Sequence, residues 1–245
     1  LTRLDNGNTQ INRFNYDWGY VGYFDVEGTP SGDVVFLPGT NQGYFVTRTD
    51  GATPGTYVTH IHSVNFDAFP PSSTVVIPGE PIGGPVLAAD GNLYQVITGT
   101  NTIVRRLNGS DVYQVGGTAT SQVVGDDTYL WVTTTEGDES TGKTYIRRIN
   151  IALGPQGSYT VDGIPVGTPV IGADGTKYQT VVRYDTDAGI YRTTVIAYNG
   201  NLFIYHFTFD GRPTTGVHIA PDGTVTQTVE TGGITREVVF SGVRL

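Results

Sequence analysis

The sequence predicts an all-β protein, and three observations lead to this prediction. A phrase in which two β-forming segments flank an Asp-Gly dipeptide occurs at 166–182, at 83–98 and, more loosely, at 214–230. Asp-Gly tolerates the positive φ angles of a tight two-residue turn, so each copy is typical of a β-hairpin. The spacing of the copies fits a repeat of about 40–50 residues. No segment shows the 3.6-residue apolar period of a helix.

The turns give the number of repeats. Asp90, Asp174 and Asp222 mark three turns, and degenerate turns at 125–129 and 38–41 supply two more. A period of about 40–50 residues is typical of the four-stranded blades of a β-propeller. Five turns therefore predict a five-bladed β-propeller.

Two further kinds of strand recur between the hairpins, and both alternate branched or aromatic residues with polar ones, as strands in stacked sheets do. Outer strands are predicted at 22–28, 74–79, 111–117, 157–163 and 205–211. Third strands are predicted at 57–64, 102–107, 144–151, 191–198 and 235–243.

These elements predict a single domain over 1–245 with five blades, at 29–79, 80–117, 118–163, 164–211 and 212–245. The first outer strand precedes the first hairpin, whereas the sequence ends after a third strand. We therefore expect 19–28 to complete the last blade and close the ring, which removes two exposed sheet edges. Residues 1–18 fit no repeat, and we interpret them as a leader along the outer blade or on one face. The alternative is that the five repeats belong to a longer array.

Composition limits the partners and the location. A formal net charge of −9 argues against nucleic acid or an anionic membrane surface as a partner. Cys 0 excludes disulfides and thiolate metal sites and is compatible with export. No run of about 18 apolar residues is present to insert into a membrane. Because Met is also absent, we expect a secreted or cell-surface protein that is a processed fragment or part of a larger chain.

The phrase G-x-P-V-x-x-x-D-G-x-x-Y, seen most clearly at 167–178, resembles the blades of bacterial quinoprotein-like and related secreted propellers. The resemblance covers most of the chain and implies a propeller fold. It does not imply the quinone cofactor, because quinoprotein blades carry a tryptophan-docking motif and this chain has only Trp18 and Trp131. Five-bladed propellers include lectins and glycosidases, so blade number leaves the function open.

Six carboxylates fall in the connections between second and third strands: Asp50, Glu136, Asp138, Glu139, Asp185 and Asp187. In a propeller such connections lie on one face, where ligands usually meet the channel mouth. We predict that this acidic face binds Ca²⁺ weakly or docks a cationic partner surface, the alternative being plain solvated surface. Three nearby tyrosines are candidates for stacking on sugar rings: Tyr129, Tyr184 and Tyr191.

His218 is the candidate ligand-binding residue of the central channel. It occupies the position of Val86 and Val170 in sister blades, on a strand predicted to border that channel. A polar group in an apolar ring can mark a binding site. The alternative is a hydrogen-bonded core histidine.

Two other patterns have the spacing of metal ligands. His60 and His62 lie two apart, hence on one face of a strand, with Asp67 close in sequence. The alternative is an ordinary surface pair. Asp90, Asp174 and Asp222 form a repeated acid set, for which local capping of turn amides is the stronger interpretation.

We therefore predict a non-enzymatic secreted or cell-surface binding module that recognises a carbohydrate or protein partner on one loop face. No catalytic residue and no cofactor other than calcium is assigned. One alternative is a hydrolase acting on extracellular glycans from the central channel, although the motifs of five-bladed glycosidases and the G-x-S-x-G elbow are missing from the sequence. A purely structural domain of a larger surface protein is the other alternative.

Overall fold

The computed structural model describes residues 1–14, 17, 19–65, 67–200 and 202–240. Regular structure in these ranges is β-strand without any α-helix, which confirms the all-β prediction. Accordingly, none of the described residues forms a helix that could span a membrane. Contacts divide the chain into two compact units, Leu1–Gly116 and Gly117–Leu245. Six antiparallel sheets are described, three in each unit, and each is built from strands consecutive in sequence.

The first unit contains sheets 1 to 3. Sheet 1 consists of β1 (Thr2–Arg3), β2 (Thr9–Phe14) and β3 (Tyr20–Val26). Sheet 2 consists of β4 (Thr29–Pro30), β5 (Val35–Phe36), β6 (Gln42–Asp50), β7 (Tyr57–Asn65) and β8 (Ala68–Pro78). Sheet 3 consists of β9 (Glu80–Pro81), β10 (Val86–Leu87), β11 (Leu93–Thr98), β12 (Thr102–Arg106) and β13 (Val112–Val115).

The second unit contains sheets 4 to 6. Sheet 4 consists of β14 (Thr118–Ala119), β15 (Val124–Gly125), β16 (Tyr129–Glu136), β17 (Lys143–Asn150) and β18 (Gly154–Asp162). Sheet 5 consists of β19 (Ile164–Ile171), β20 (Lys177–Asp185), β21 (Ile190–Asn199) and β22 (Leu202–Asp210). Sheet 6 consists of β23 (Arg212–Pro213), β24 (His218–Ile219), β25 (Val225–Thr231) and β26 (Ile234–Phe240).

Sheets 2 to 5 share one meander. One or two first strands pair with a long second strand, which pairs with a third strand and then with an outer strand. The second strands are β6, β11, β16 and β20, the third strands are β7, β12, β17 and β21, and the outer strands are β8, β13, β18 and β22. In sheet 6 the second strand is β25 and the third strand is β26.

The Asp-Gly turns are present but are one residue longer than predicted. The Ala88 amide donates to the Asn92 carbonyl at 2.9 Å, and the Gly91 amide donates to the Ala88 carbonyl at 3.0 Å. This pattern encloses three loop residues, with Gly91 at φ 76°, in place of a two-residue type I′ turn. The Asp90 carboxylate accepts from the Asn92 amide at 3.0 Å, so a capping role, as the sequence favoured, accounts for this aspartate.

Within each unit, the glycines that follow the outer strands make the junctions between neighbouring sheets. Each has a positive φ, and a Cβ on any of them would press on the backbone of the next sheet's second strand: Gly28, Gly79, Gly163 and Gly211. At Gly163, with φ 111°, that Cβ would overlap the Val182 carbonyl oxygen. Glycine is required at this junction both by the backbone angle and by the lack of space.

A buried threonine recurs beside these glycines. Thr144 on β17 donates to the Gly163 carbonyl at 2.8 Å, and Thr193 on β21 donates to the Gly211 carbonyl at 2.7 Å. In the first unit, Thr59 on β7 makes the same bond to Gly79 at 2.8 Å. The hydroxyl satisfies a carbonyl that ends an outer strand at a sheet junction.

Neighbouring sheets pack face to face through apolar side chains within each unit. Trp131 of sheet 4 packs with Ile196 and Tyr198 of sheet 5, and Tyr178 of sheet 5 packs with Val217 of sheet 6. Buried aromatic rings therefore join the sheets of the second unit. In the first unit the corresponding clusters contain Phe45 and Val64, or Val46, Ile61 and Ile97.

The predicted blade count and ring closure are not confirmed. The described residues form six sheets, one more than the five predicted blades. Residues 20–26 were expected to complete the last blade, but β3 pairs with β2 from Thr9↔Val26 to Phe14↔Tyr20. The expected leader thus contributes β1 and β2, although Trp18 itself lies outside the described residues. A short connection between β2 and β3 costs little loop-closure entropy, whereas pairing with the last repeat would close a far longer loop.

Candidate functional site

A groove in the second unit is the site with the most varied chemistry. It has a volume of about 260 Å³ and lies between the outer strand of sheet 4 and the face of sheet 5. Its lining combines two arginines, a carboxylate, an imidazole, a phenol and three threonines: Arg183, Arg192, Asp162, His206, Tyr159, Thr160, Thr194 and Thr208, together with Val161. Because these side chains stand on strands, the scaffold holds them in fixed positions.

Two arginines stand opposite each other across one hairpin. Arg183 on β20 is the cross-strand partner of Arg192 on β21. Like charges placed directly opposite each other destabilise a sheet, so carboxylates are needed nearby. Arg192 donates to Asp185 at 2.7 Å and to Asp210 at 3.2 Å, while Arg183 donates to Asp162 at 3.4 Å.

The ion pair of Arg192 with Asp185 favours the charged form of both groups. The Arg192 guanidinium and the Ala188 amide both donate to Asp185, and they hold the pKa of that carboxyl below its ordinary value. The same hydrogen bond raises the pKa of Arg192. Only two of the five N–H donors of Arg192 are used in these bonds, which leaves donors for a ligand.

Hydroxyl groups and an imidazole also line the groove. Thr194 and Thr208 are hydrogen-bonded across β21 and β22, with their Oγ atoms 2.9 Å apart. His206 Nδ1 lies 3.4 Å from the Tyr159 hydroxyl. Hydrogen-bond donors and acceptors therefore both face the groove, and they lie beside the apolar surface of Val161 and of the Tyr159 ring.

A second cluster covers the end of the β20–β21 hairpin. The rings of Tyr184 and Tyr191 have centroids 5.0 Å apart, and the Arg212 guanidinium lies over the Tyr191 ring at 4.8 Å. Arg212 also donates to Glu139 at 2.7 Å, and the Glu139 carbonyl accepts from the Tyr184 amide at 2.7 Å. The structure thus joins three of the predicted site residues, Glu139, Tyr184 and Tyr191, in one contact network.

The other carboxylates of the predicted acidic face serve local structure or are exposed. Asp138 accepts from the Ser140 and Thr141 amides, both at 2.9 Å, and these bonds lower its pKa. Glu136 accepts from the Tyr145 hydroxyl at 3.2 Å. Asp50 and Asp187 are exposed. Among the described residues no group of three or more His, Cys, Asp or Glu side chains is placed to hold a metal ion, and calcium binding stays a prediction.

His218 and Tyr129 lie apart from the groove. His218 is exposed on β24, where it pairs with Thr226. Tyr129, at the start of β16, lies with its ring 6.4 Å from Trp131 and under the Arg148 guanidinium at 5.0 Å. Neither residue lines the 260 Å³ groove.

The histidine pair of β7 lies on one face, as the two-residue spacing predicted, and forms a ladder with threonines. Both ring nitrogens of His62 face hydroxyls, Nε2 with Thr47 at 2.9 Å and Nδ1 with Thr74 at 3.0 Å. His60 Nε2 faces Thr49 at 2.9 Å. Burial, together with the neighbouring His60, lowers the pKa of His62 to about 4. These contacts account for His62 as a structural residue, because neither nitrogen points to an open metal position.

Sequence reasoning missed the groove. Its carboxylate, imidazole and arginines come from four strands that contact each other only in the folded sheets. One signal was available: Arg183 and Arg192 flank the 186–189 loop symmetrically, which predicts a cross-strand arginine pair.

Comparisons with known proteins do not assign the chain to a family. No protein-family model matches it, and no curated protein matches significantly. The resemblance to quinoprotein-like blades is therefore unconfirmed.

Solved structures with a similar backbone include the β-propeller domain of the Trilobed protease from Pyrococcus furiosus, at 10% identity and a TM-score of 0.40, covering 82% of this chain and 78% of that one. The acylaminoacyl peptidase of Pyrococcus horikoshii matches at 11% identity and a TM-score of 0.40, covering 82% of this chain and 43% of the peptidase. The AtxE2 isopeptidase matches at 11% identity and a TM-score of 0.34, covering 84% of this chain and 43% of that one. At this low similarity we base neither fold nor function on these structures.

Proposed function

We propose that this chain is a non-catalytic binding module whose sheets are blades of a β-propeller, and that its ligand is a carbohydrate held in the groove between β18 and sheet 5. The observation that carries the proposal is the lining of that groove, where guanidinium, carboxylate, hydroxyl, imidazole and phenol groups converge on about 260 Å³. The meander of sheets 2 to 5, with a glycine at each junction, supports the blade assignment.

The size and chemistry of the groove support a small, hydroxyl-rich ligand. Its volume is below the range of about 300–1,000 Å³ for pockets that hold drug-sized molecules. Sugar hydroxyls both donate and accept hydrogen bonds, and the lining offers acceptors at Asp162 and donors at Arg183 and Arg192. The Tyr159 ring supplies an apolar face for the C–H side of a sugar.

The same lining favours binding over hydrolysis. Glycoside hydrolysis normally uses two carboxyl groups that flank the scissile bond. Asp162 is the one carboxylate among the lining residues, and it is paired with Arg183. The hydroxyls of the lining belong to threonines and Tyr159, and His206 is hydrogen-bonded to Tyr159, not to one of those threonines. A carbohydrate ligand agrees with the predicted secreted or cell-surface location, which remains part of the proposal.

A matched pair of histidine substitutions tests the proposal. A glycan-binding screen first identifies a sugar bound by the parent protein. We expect His206→Ala to weaken binding about fivefold to tenfold, the loss of roughly one hydrogen bond. His218→Ala changes an exposed histidine of the same unit outside the groove and is expected to leave binding unchanged.

The opposite pattern, with loss of binding in His218→Ala alone, would move the site to the channel position predicted from the sequence. A screen in which no glycan binds the folded parent protein would reject the carbohydrate assignment.

A further inference from the structure

The first unit contains a small cleft between sheets 2 and 3, and none of its lining residues belongs to the groove of the second unit. The volume of this cleft is about 110 Å³. One water takes a share of about 30 Å³ in the liquid, so the cleft has the size of an ion of a few atoms. Its polar lining residues are Gln42, Tyr44, Ser63, Ser73 and Arg105.

Strand register brings three of these side chains into one row on sheet 2. Tyr44 on β6 lies opposite Ser63 on β7, and Ser63 lies opposite Ser73 on β8. Residues that lie directly opposite each other place their side chains on the same face of a sheet. The Ser63 and Ser73 hydroxyl oxygens are 2.8 Å apart. Arg105, on β12 of sheet 3, lines the same cleft, so both sheets contribute polar groups to it.

Every polar side chain of the lining can donate a hydrogen bond, and no Asp or Glu is among the lining residues. Serine hydroxyls rotate to suit a ligand, and guanidinium and amide groups present N–H donors. Burial raises the pKa of Tyr44, and a hydrogen bond with Gln42 opposes this shift only in part. The phenol therefore keeps its proton at neutral pH and is also a donor.

Arg105 has no counter-ion in the chain. It is partly buried, and none of the described residues forms a hydrogen bond, an ion pair or a ring contact with its side chain. Every Asp and Glu of the sequence lies within the described ranges, so no carboxylate elsewhere in the chain can be its partner. The neighbouring Arg106, in contrast, pairs with Asp111 at 3.0 Å. A partly buried cation without a partner is unfavourable, and a bound anion would remove that cost.

Apolar side chains form the rest of the cleft. They are Ile61, Val75 and Leu107, which belong to or pack against the core cluster between sheets 2 and 3. Apolar walls lower the local dielectric constant, and a charge therefore attracts an opposite charge more strongly here than on an open surface.

We propose that this cleft binds a tetrahedral oxyanion, that is, a phosphate or sulfate group. The Arg105 guanidinium is the main ligand, because its planar fork of N–H groups can bind two oxygens of such an ion at once. The remaining oxygens accept from the hydroxyls of Ser63, Ser73 and Tyr44 on the facing sheet. A carboxylate has only two oxygens, and a bidentate guanidinium would use both, leaving the donors of sheet 2 without a ligand.

The test is a calorimetric titration of the full chain with inorganic phosphate at fixed ionic strength. We expect saturable binding of one phosphate per chain, and Arg105→Gln should weaken it at least about tenfold, the loss of a charged hydrogen-bonding partner. The control is Arg3→Gln, which removes the same charge from an exposed arginine of β1 outside the cleft and should leave the affinity unchanged.

A second pair of variants keeps the proposal testable if Arg105→Gln does not fold. Ser73 is exposed, so Ser73→Ala should preserve the fold, and we expect it to weaken phosphate binding about threefold to fivefold. Ser110→Ala, at an exposed serine of the same unit outside the cleft, should have no effect.

Titrations with methyl phosphate and with acetate complete the experiment. Phosphate that binds alone indicates a free ion, and equal binding of methyl phosphate indicates the terminal group of a larger ligand; both results support the site. Three results would overturn it: no phosphate binding to the folded parent protein, acetate binding as tight as that of phosphate, or equal losses in Arg105→Gln and Arg3→Gln.

Discussion

The side chain of Lys177 is 2% exposed, and its ammonium group lies 3.1 Å from the carboxylate of Asp126, whose side chain is 38% exposed. The pair joins the first strand position of β20 to the turn before β16, so it ties sheet 5 to sheet 4. Burial by itself raises the pKa of Asp126, but hydrogen bonds from the Tyr129 and Thr128 amides and from Lys177 outweigh it and lower that pKa.

Asp126→Asn is expected to lower the free energy of unfolding by about 2–3 kcal/mol at neutral pH, because it leaves a buried ammonium without its counter-ion. The expected loss is below that of a fully buried pair since Asp126 is partly solvated. Because the folded-state pKa of Asp126 is depressed, its contribution is present above the unfolded value near 3.8 and is lost as pH falls through the folded value. Urea unfolding of parent and variant at a series of pH values measures this.

The control for this prediction is Asp127→Asn, which removes the same charge at the exposed neighbouring position. It should change stability by less than about 0.5 kcal/mol. If the difference between Asp126→Asn and the parent were the same at neutral pH and in acid strong enough to protonate Asp126, the ion pair would not be its source.

The second prediction concerns a buried glutamine that recurs at the same position of three second strands, as Gln95, Gln179 and Gln227. Thr180 of sheet 5 donates to Gln227 of sheet 6 at 2.5 Å, and the Gln227 amide group donates to the Thr215 carbonyl at 2.7 Å. Gln95 of sheet 3 is the counterpart of Gln227, but its buried Oε1 has no hydrogen-bond partner among the described residues. Val46 of sheet 2 stands in the place of Thr180 and has no hydroxyl to donate.

Thr180→Val should destabilise the second unit by about 1–3 kcal/mol, the cost of leaving a buried acceptor unpaired. Val46→Thr, the reverse exchange, should stay within about 1 kcal/mol of the parent, since the new hydrogen bond to Gln95 offsets the lost burial of a methyl group. Chemical denaturation of both variants provides the comparison. Equal destabilisation by the two would show that these positions are not equivalent.

Alanine substitutions at Gly163 and Gly175 distinguish the cost of backbone strain from the cost of steric overlap. Both have positive φ, 111° and 80°, but a Cβ at Gly175 meets no atom within 4 Å, whereas at Gly163 it overlaps the Val182 carbonyl. Gly175→Ala should cost about 1–2 kcal/mol, the ordinary penalty for an L-residue in this region. Gly163→Ala should cost about 1–3 kcal/mol more, because the sheet junction must open. Similar melting temperatures for the two variants would mean that sheets 4 and 5 are not in close contact at Gly163.

The predicted effect of calcium on the melting temperature depends on the arginines that pair with carboxylates of the acidic loops. Arg212 neutralises Glu139, so we expect only a small rise in melting temperature for the parent in millimolar calcium compared with chelator. Arg212→Gln releases Glu139 and is expected to enlarge the rise. Arg236→Gln removes an arginine that contacts Thr231 and is the control. Thermal melts that show no larger calcium response for Arg212→Gln than for Arg236→Gln would argue against calcium at these loops.

Local features of the fold were predictable from the sequence, whereas choices between competing pairings were not. The hairpin at Asp90 follows from an aspartate that caps its own turn and a glycine that accepts positive φ, both of which act over five residues. The third strand predicted at 57–64 is β7, because its alternation reports burial on one face. The predicted partner of 20–26 is not confirmed, because alternation identifies a strand without identifying its neighbour.

The candidate site was predictable only in part for the same reason. Tyr184 and Tyr191 flank one loop, so their contact is local in sequence. The groove instead needs Asp162 from sheet 4 beside Arg183 and His206 from sheet 5, and no short-range pattern records that junction. The acidic loops suggested a metal site. The arginines that neutralise their carboxylates, Arg212 for Glu139 and Arg192 for Asp185, lie outside those loops in the sequence.

The most direct test of the account is an amide NMR titration of the full chain with a glycan that the binding screen identifies. We predict that the shifts concentrate at 159–162, 183, 192–194 and 206–208, the strands that line the groove. Shifts concentrated instead at the loops 136–139 and 185–187, or at His218, would contradict the assignment of the groove as the binding site.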